Sequence, residues 1–369
     1  MEPKIIITED LVQELIQNPV GMKELYGISR IKEHLIHIQS LEPKEYLQKI
    51  GDFSSGNLEI SDLNISIPLS EVEATPLFSE FTSRSQGIID TNALAKKKVA
   101  LVGEGSVGSQ VTLHLVQSGV ESFSILDPDT LSASNLSRHA CDLNDLGRYK
   151  TLAVKDMILR RNPKAKIQTF EEDFLSLDWD DQVSRLKGSN LVIASTDSNA
   201  VQFVINEVCH ELNIPSLYIG CYERACAGEI LFVIPGKTPC FNCFMEFRQS
   251  RLEGVKRKEK KIPYSDEDPS SFKGEPGLAI DISYIVSVAS AYALALLLPN
   301  SERSGLLDPE RNLILLHSGN SPKGKYREIF KMPFDLLLAR VRRDEECLVC
   351  QQGFSFKKGD EDGATTNSR

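Results

Sequence analysis

The sequence has no surplus of positive charge: 42 lysines and arginines stand against 52 aspartates and glutamates, a net charge of −10. That balance argues against nucleic acid as a general partner. The N-terminus, Met1-Glu2-Pro3-Lys4-Ile5-Ile6-Ile7, lacks a basic stretch followed by an apolar run and does not read as a secretory signal. Nor is there a clean membrane-length apolar run. Leu278–Leu298 comes nearest, but it carries Asp281, Ser283, Ser287, Ser290 and two tyrosines, and it ends at Pro299. A buried helix of an α/β domain is the expectation there, with no membrane partner. No internal repeat is visible. The composition, 41% apolar and 25% charged, is globular, and the expected compartment is the cytoplasm.

What is present is concentrated between Lys98 and Lys150. A short apolar strand, Val99-Ala100-Leu101-Val102, runs into Gly103-Glu104-Gly105-Ser106-Val107-Gly108, a helix follows, and a second strand ends at Asp127. Glycines in such a loop let the backbone approach phosphate, and the helix start offers N–H groups and positive dipole to an anion. Asp127 stands 19 residues past Gly108, where an acid reaches ribose hydroxyls. A dinucleotide-dependent oxidoreductase shares this fingerprint. It has no need, however, of Asn135, Arg138 and Lys150, which follow in order and suit the further phosphates of a triphosphate. Arg138 can fork two oxygens, Lys150 supplies a point charge, and Asp197, at the end of a later strand, can hold Mg²⁺.

Around this block the pattern is β-α-β-α, with strands expected at 98–102, 123–127, 166–170, 190–195 and 216–220 and helices at 106–118, 148–161 and 199–212. That implies a Rossmann-like, mostly parallel sheet. Glu229–Ile234 reads as its antiparallel continuation. Gly119 sits where a helix C-cap glycine belongs. Residues 1–80 form a separate small α+β accessory domain, with helical periodicity over Thr8–Gln17 and Met22–Gln39 and a strand over Leu58–Ile65. It is a structural cap or a partner-binding arm. Residues 81–356 make the main domain, 248–276 a polar surface loop, and 357–369 a disordered tail.

Four of the eight cysteines form two knuckles, Cys240-Phe-Asn-Cys243 and Cys347-Leu-Val-Cys350. Together they can give four thiolates to a tetrahedral structural zinc and so clamp distant parts of the chain, a zinc-clamped C-terminal part; redox disulfides or unrelated thiols are the alternative. Cys209 reads as a small core residue. Cys221 and Cys226 flank a turn beyond a strand end.

The ordered set resembles the ubiquitin-activating-enzyme-like superfamily (ThiF-, MoeB- and MccB-like adenylyltransferases). Its pattern is G-x-G-x-x-G, D-x-D, S-N-L-x-R, G-x-x-K, T-D and two C-x-x-C knuckles. The resemblance implies that Gly103, Gly105 and Gly108 form the nucleotide loop and Asp127 binds ribose. It implies that Asn135, Arg138 and Lys150 hold phosphates and that Asp197 coordinates Mg²⁺ and orients the attacking carboxylate. Phe81–Gln86 is similar to the family's arginine segment, which makes Arg84 an arginine finger reaching across a homodimer. The implied function is ATP-dependent adenylation of the C-terminal carboxylate of a ubiquitin-like protein or peptide, with ATP, Mg²⁺ and Zn²⁺. The alternatives are an NAD(P)-dependent oxidoreductase or a non-catalytic scaffold subunit. Three departures stand out: Ser106 replaces a glycine, His139 replaces the usual glutamine after the arginine, and residues 244–277 hold no cysteine for a thioester. Cys221 or Cys226 would have to serve in its place.

Overall fold

The structure, a computed structural model, describes residues 4–18, 22–30, 35–43, 47–72, 74–75, 80–252, 277–319 and 329–350. The chain divides into two units, Met1–Ile88 and Ile89–Arg369, so Arg84 falls in the first.

The described residues of the first unit include a seven-stranded sheet and the helix Glu9–Gln17, which Thr8 caps through its side chain. Its strands are β1 (Lys4–Thr8), β2 (Lys23–Arg30), β3 (Leu35–Ser40), β4 (Gln48–Ser54), β5 (Asn57–Ile60), β6 (Ile65–Pro68) and β7 (Ala74–Thr75), in the order β6-β5-β4-β2-β3-β1-β7. Two expectations are corrected. The helix expected over Met22–Gln39 is instead the antiparallel pair β2 and β3. Ile36 and Ile38 alternate into the core, and a Cβ on Gly27 would lie 2.0 Å from the His37 carbonyl oxygen, so strand pairing requires glycine there. The single strand expected over Leu58–Ile65 is two strands, β5 and β6, reversed through a 3₁₀ turn whose Asn64 adopts a left-handed φ of 50°.

The second unit carries an eight-stranded sheet. Five parallel strands are β8 (Lys98–Val102), β9 (Ser122–Leu126), β10 (Lys166–Phe170), β11 (Leu191–Ala194) and β12 (Ser216–Cys221), and the antiparallel continuation is β13 (Ala227–Val233), β14 (Leu313–His317) and β15 (Leu336–Ala339). The order is β10-β9-β8-β11-β12-β13-β14-β15. Each central strand feeds both faces. In β8, Val99 and Leu101 pack with the helices Gly108–Gln117, Lys150–Leu159 and Ala279–Leu297, while Ala100 and Val102 pack with Asn199–Glu211 and Phe241–Leu252. The expected strands and helices hold to within a few residues, and Gly119, at φ 105°, closes its helix as expected. The short helix Trp179–Leu186 was not foreseen. Residues 248–252 extend the Phe241–Leu252 helix rather than opening a loop; residues 253–276 and the tail 357–369 lie outside the described residues.

The apolar helix Ala279–Leu297, the one helix among the described residues long and apolar enough to cross a membrane, is a largely buried core helix. His114 and Ser290 meet across it and the Gly108–Gln117 helix at 3.1 Å. Strand order runs outward from β8 on one side and from β11 on the other, so the C-terminal ends of β8 and β11 flank a topological switch point. Open α/β sheets bind ligands in that crevice.

Candidate functional site

At the switch point β8 turns into the glycine loop, and the three glycines answer different demands. Gly103 has φ 96°, and a Cβ there would sit 2.9 Å from the Thr196 amide nitrogen. At Gly108 a Cβ would lie 1.9 Å from the Gly103 carbonyl oxygen. Both are required by packing. Around Gly105, by contrast, nothing lies within 4 Å of the Cβ position, so the middle of the loop faces open space. The loop is tied to the end of β11 by the Ser195 hydroxyl, which donates to the Gly103 carbonyl at 2.7 Å.

Asp127, just past β9, grips the loop from the other side. Its carboxylate accepts from the Glu104 N–H at 2.6 Å and from the Asp129 N–H at 2.9 Å. Lys150 opens the Lys150–Leu159 helix with its ammonium 2.6 Å from Asp129 Oδ2 and 3.7 Å from Asp127 Oδ1. Burial pushes the Asp127 carboxyl up, against the pull of Lys150 and the two N–H donors. Lys150 is itself buried, so the pair is a desolvated ion pair rather than a solvated helix face.

Between Asp129 and Lys150 the chain is folded back on itself: Leu131 N–H donates to the Arg148 carbonyl, Gly147 N–H to the Leu131 carbonyl and Lys150 N–H to the Asp129 carbonyl. Asn135 caps this turn, its side-chain oxygen accepting from the Ser132 N–H and hydroxyl at 3.0 and 2.9 Å. Arg138 is half-buried, and its carbonyl accepts from Gln110 at 2.9 Å. Asp197 is exposed beyond β11, next to the N-cap Ser198 of the Asn199–Glu211 helix. Gly103, Gly105, Asp127, Asn135, Arg138 and Asp197 thus lie on the loops beyond the strand ends of the second unit, and Gly108 and Lys150 are the first residues of the helices that follow those loops. Arg84 is exposed on a 3₁₀ turn of the first unit.

Glu104, inside the glycine loop, is a residue to which the motif pattern assigns no role. It is wholly buried, accepts from the Thr112 hydroxyl at 3.1 Å, and burial pushes its carboxyl up to about 8. Its position between two glycines was the available signal. Cys221 is exposed at the end of β12, whereas Cys226 is buried, and burial together with Glu223 raises its thiol above the usual range. Cys209 is fully buried in the core, as expected.

The two cysteine knuckles meet. Cys240 precedes the Phe241–Leu252 helix and Cys347 and Cys350 follow β15, yet all four sulfurs lie within 4.8 Å of one another. The contacts are 3.8 Å for Cys240–Cys243, 3.6 Å for Cys240–Cys347 and 3.4 Å for Cys243–Cys350. A tetrahedron of about 2.3 Å Zn–S bonds has edges of about 3.8 Å, so the donor set fits zinc. Hydrogen bonds from Cys240, Cys350 and the Asp344 N–H hold the Cys243 thiol below its usual range, the state a metal ligand needs.

Comparison with known proteins adds a family. A sequence profile of the ThiF family matches residues 79–321. Ubiquitin-like modifier-activating enzyme 5 of Caenorhabditis elegans is 29% identical over 213 residues, 56% of this chain and 48% of that protein. Adenylyltransferase and sulfurtransferase UBA4 of Candida albicans is 28% identical over 152 residues, 41% of this chain and 34% of that protein. The chain therefore spans about half or less of these relatives. Among solved structures, E. coli MccB with ATP gives a TM-score of 0.53 at 20% identity, covering 71% of this chain and 68% of that one. The same protein with AMPCPP and MccA gives 0.55 at 18%, covering 74% and 75%. At these identities the structural likeness is one of fold.

Proposed function

Because the chain belongs to the ThiF family, whose profile spans residues 79–321, we propose that it is an ATP-dependent adenylyltransferase acting on the C-terminal carboxylate of a ubiquitin-like protein or peptide. The observation that carries this reading is the open face of Gly105 beside the buried Lys150–Asp127 pair at the switch point. A loop open at its middle glycine admits phosphate. Lys150, Arg138 and Asn135 then meet the rest of the triphosphate, and Asp127, already holding the loop, turns a remaining lone pair to ribose. Support comes from the relatives' names, a ubiquitin-like modifier-activating enzyme and an adenylyltransferase, and from the MccB structures with ATP and with AMPCPP and MccA.

The chemistry is an in-line displacement. A carboxylate oxygen of the substrate attacks the α-phosphorus of ATP; the new O–P bond forms as the bond to the bridging oxygen breaks, and pyrophosphate leaves with the electron pair. The product is an acyl-adenylate. The nucleophile is already ionised, so the chain has to position reactants and neutralise phosphate charge, with no general base required. Mg²⁺ held by Asp197 would supply part of that charge neutralisation. The four cysteines would hold a structural zinc whose closed shell leaves no position for substrate.

Two further parts belong to the same reading: a homodimer in which Arg84 serves the partner's site, and a first unit that grips the substrate. Mixing the R84A and D197A variants tests the former, since recovered activity requires a site assembled from two chains. The central test is ATP–pyrophosphate exchange with Mg²⁺, with and without small proteins or peptides encoded beside the gene. Partner-dependent exchange is expected. ATP failing to bind, with NAD(H) binding instead, overturns the reading.

A further inference from the structure

His139 is buried between the Arg138 loop and the glycine loop, and both of its ring nitrogens are committed. Its Nδ1 accepts from the Cys141 N–H at 3.1 Å. Its Nε2 lies 2.8 Å from the Glu104 carbonyl oxygen, which can only accept. One tautomer satisfies both contacts, the neutral imidazole with its proton on Nε2. The Glu104 carbonyl belongs to the residue between Gly103 and Gly105, and the same residue's N–H is held by Asp127. His139 is also covalently next to Arg138.

We propose that His139 is a positioning residue that fastens the glycine loop to the Arg138 segment, so that nucleotide binding depends on its neutral Nε2–H tautomer. This rests on the reading of the loop as an ATP site. A second proton would have to go on Nδ1, against the Cys141 N–H, and would break the seat of the ring. Burial, with Lys150 nearby, holds the imidazole below its ordinary range, while the Glu104 carbonyl and Asp145 favour the proton. The two residues that the ring nitrogens bond, Glu104 and Cys141, carry titratable side chains of their own, and burial raises both. ATP affinity therefore falls in acid as His139 protonates.

Three variants and one spectrum test this on the full chain. H139L removes both hydrogen bonds at similar volume and should weaken ATP binding about tenfold at pH 7.5 in a protein that melts cooperatively. H139Q can donate to the Glu104 carbonyl and accept from Cys141 N–H, so it should keep affinity within about threefold at pH 7.5. It does not titrate, so its acid loss of ATP affinity should shrink relative to wild type. H37Q, in the first unit, should leave that acid limb unchanged. An unchanged acid limb in H139Q, or wild-type affinity in H139L, overturns the proposal. The ¹⁵N spectrum of the six histidines decides the tautomer without nucleotide: an Nδ1–H form, or titration at or above the ordinary range, also overturns it. Wild-type chain that binds no ATP, yet shows the Nε2–H tautomer and a depressed titration, sinks the adenylation reading and with it the nucleotide-positioning role.

Discussion

Lys150 lies 2.6 Å from Asp129 and 3.7 Å from Asp127, the residue that grips the glycine loop through the Glu104 N–H. One cation therefore neutralises the carboxylate that shapes the loop and stands beside the place where phosphate would enter. Structure and proposed chemistry share a single side chain.

K150A should reduce ATP–pyrophosphate exchange at least about tenfold, since it removes a phosphate contact. It also leaves the buried Asp127 carboxylate without its cation, so its melting temperature should fall below wild type. R138A and D197A sit on half-buried or exposed loops and should lose a similar factor in exchange with little change in melting. Full exchange activity in any of the three removes that residue from the site.

The glycines separate fold from function. G108A forces a Cβ to within 1.9 Å of the Gly103 carbonyl and should cost about 2 kcal/mol or more of stability. G105A meets nothing within 4 Å and should melt like wild type while binding ATP more weakly, because the added methyl occupies the phosphate side of the loop. Calorimetry and nucleotide titration on both variants check the pair. Equal ATP affinity in G105A would mean that phosphate does not approach there.

Glu104 makes stability depend on pH. Burial raises its folded carboxyl to about 8, above the unfolded value of about 4.3, so the folded chain binds the extra proton between those limits. Its contribution is fully favourable below about pH 4.3 and declines as pH rises to about 8. E104Q keeps the shape without the charge. Its melting temperature should exceed wild type at pH 8.5, with the gap closing toward pH 5. A gap that stays constant with pH would show that Glu104 does not titrate as described.

Metal analysis of the purified chain should find about one zinc per chain, and chelation or C347S should remove it and lower the melting temperature. A metal-free chain with unchanged melting would show that the four thiols pack without an ion.

The nucleotide loop, the acids and cations in their order, the parallel strands and both cysteine knuckles could be read along the chain, because each is a local pattern whose period or spacing carries its meaning. Gly103-x-Gly105-x-x-Gly108 needs only its neighbours to be recognised. The first unit was less legible: Lys23–Ser40 carries apolar residues at spacings that suit helix and strand alike. The strand pair shows itself in tertiary contacts, in the close approach of Gly27 to the His37 carbonyl and in the burial of Ile36 and Ile38.

Fold class, family pattern and candidate ligands were legible along the chain, since glycine backbone freedom, apolar periodicity and side-chain chemistry are properties of residues. Tertiary structure alone decided what those residues meet. It brought Cys240 and Cys243 to Cys347 and Cys350, placed Lys150 between two aspartates, buried Glu104 and set His139 against its carbonyl. Distance, burial and hydrogen-bond partner arise when strands separated along the chain are paired, and no window of sequence contains them.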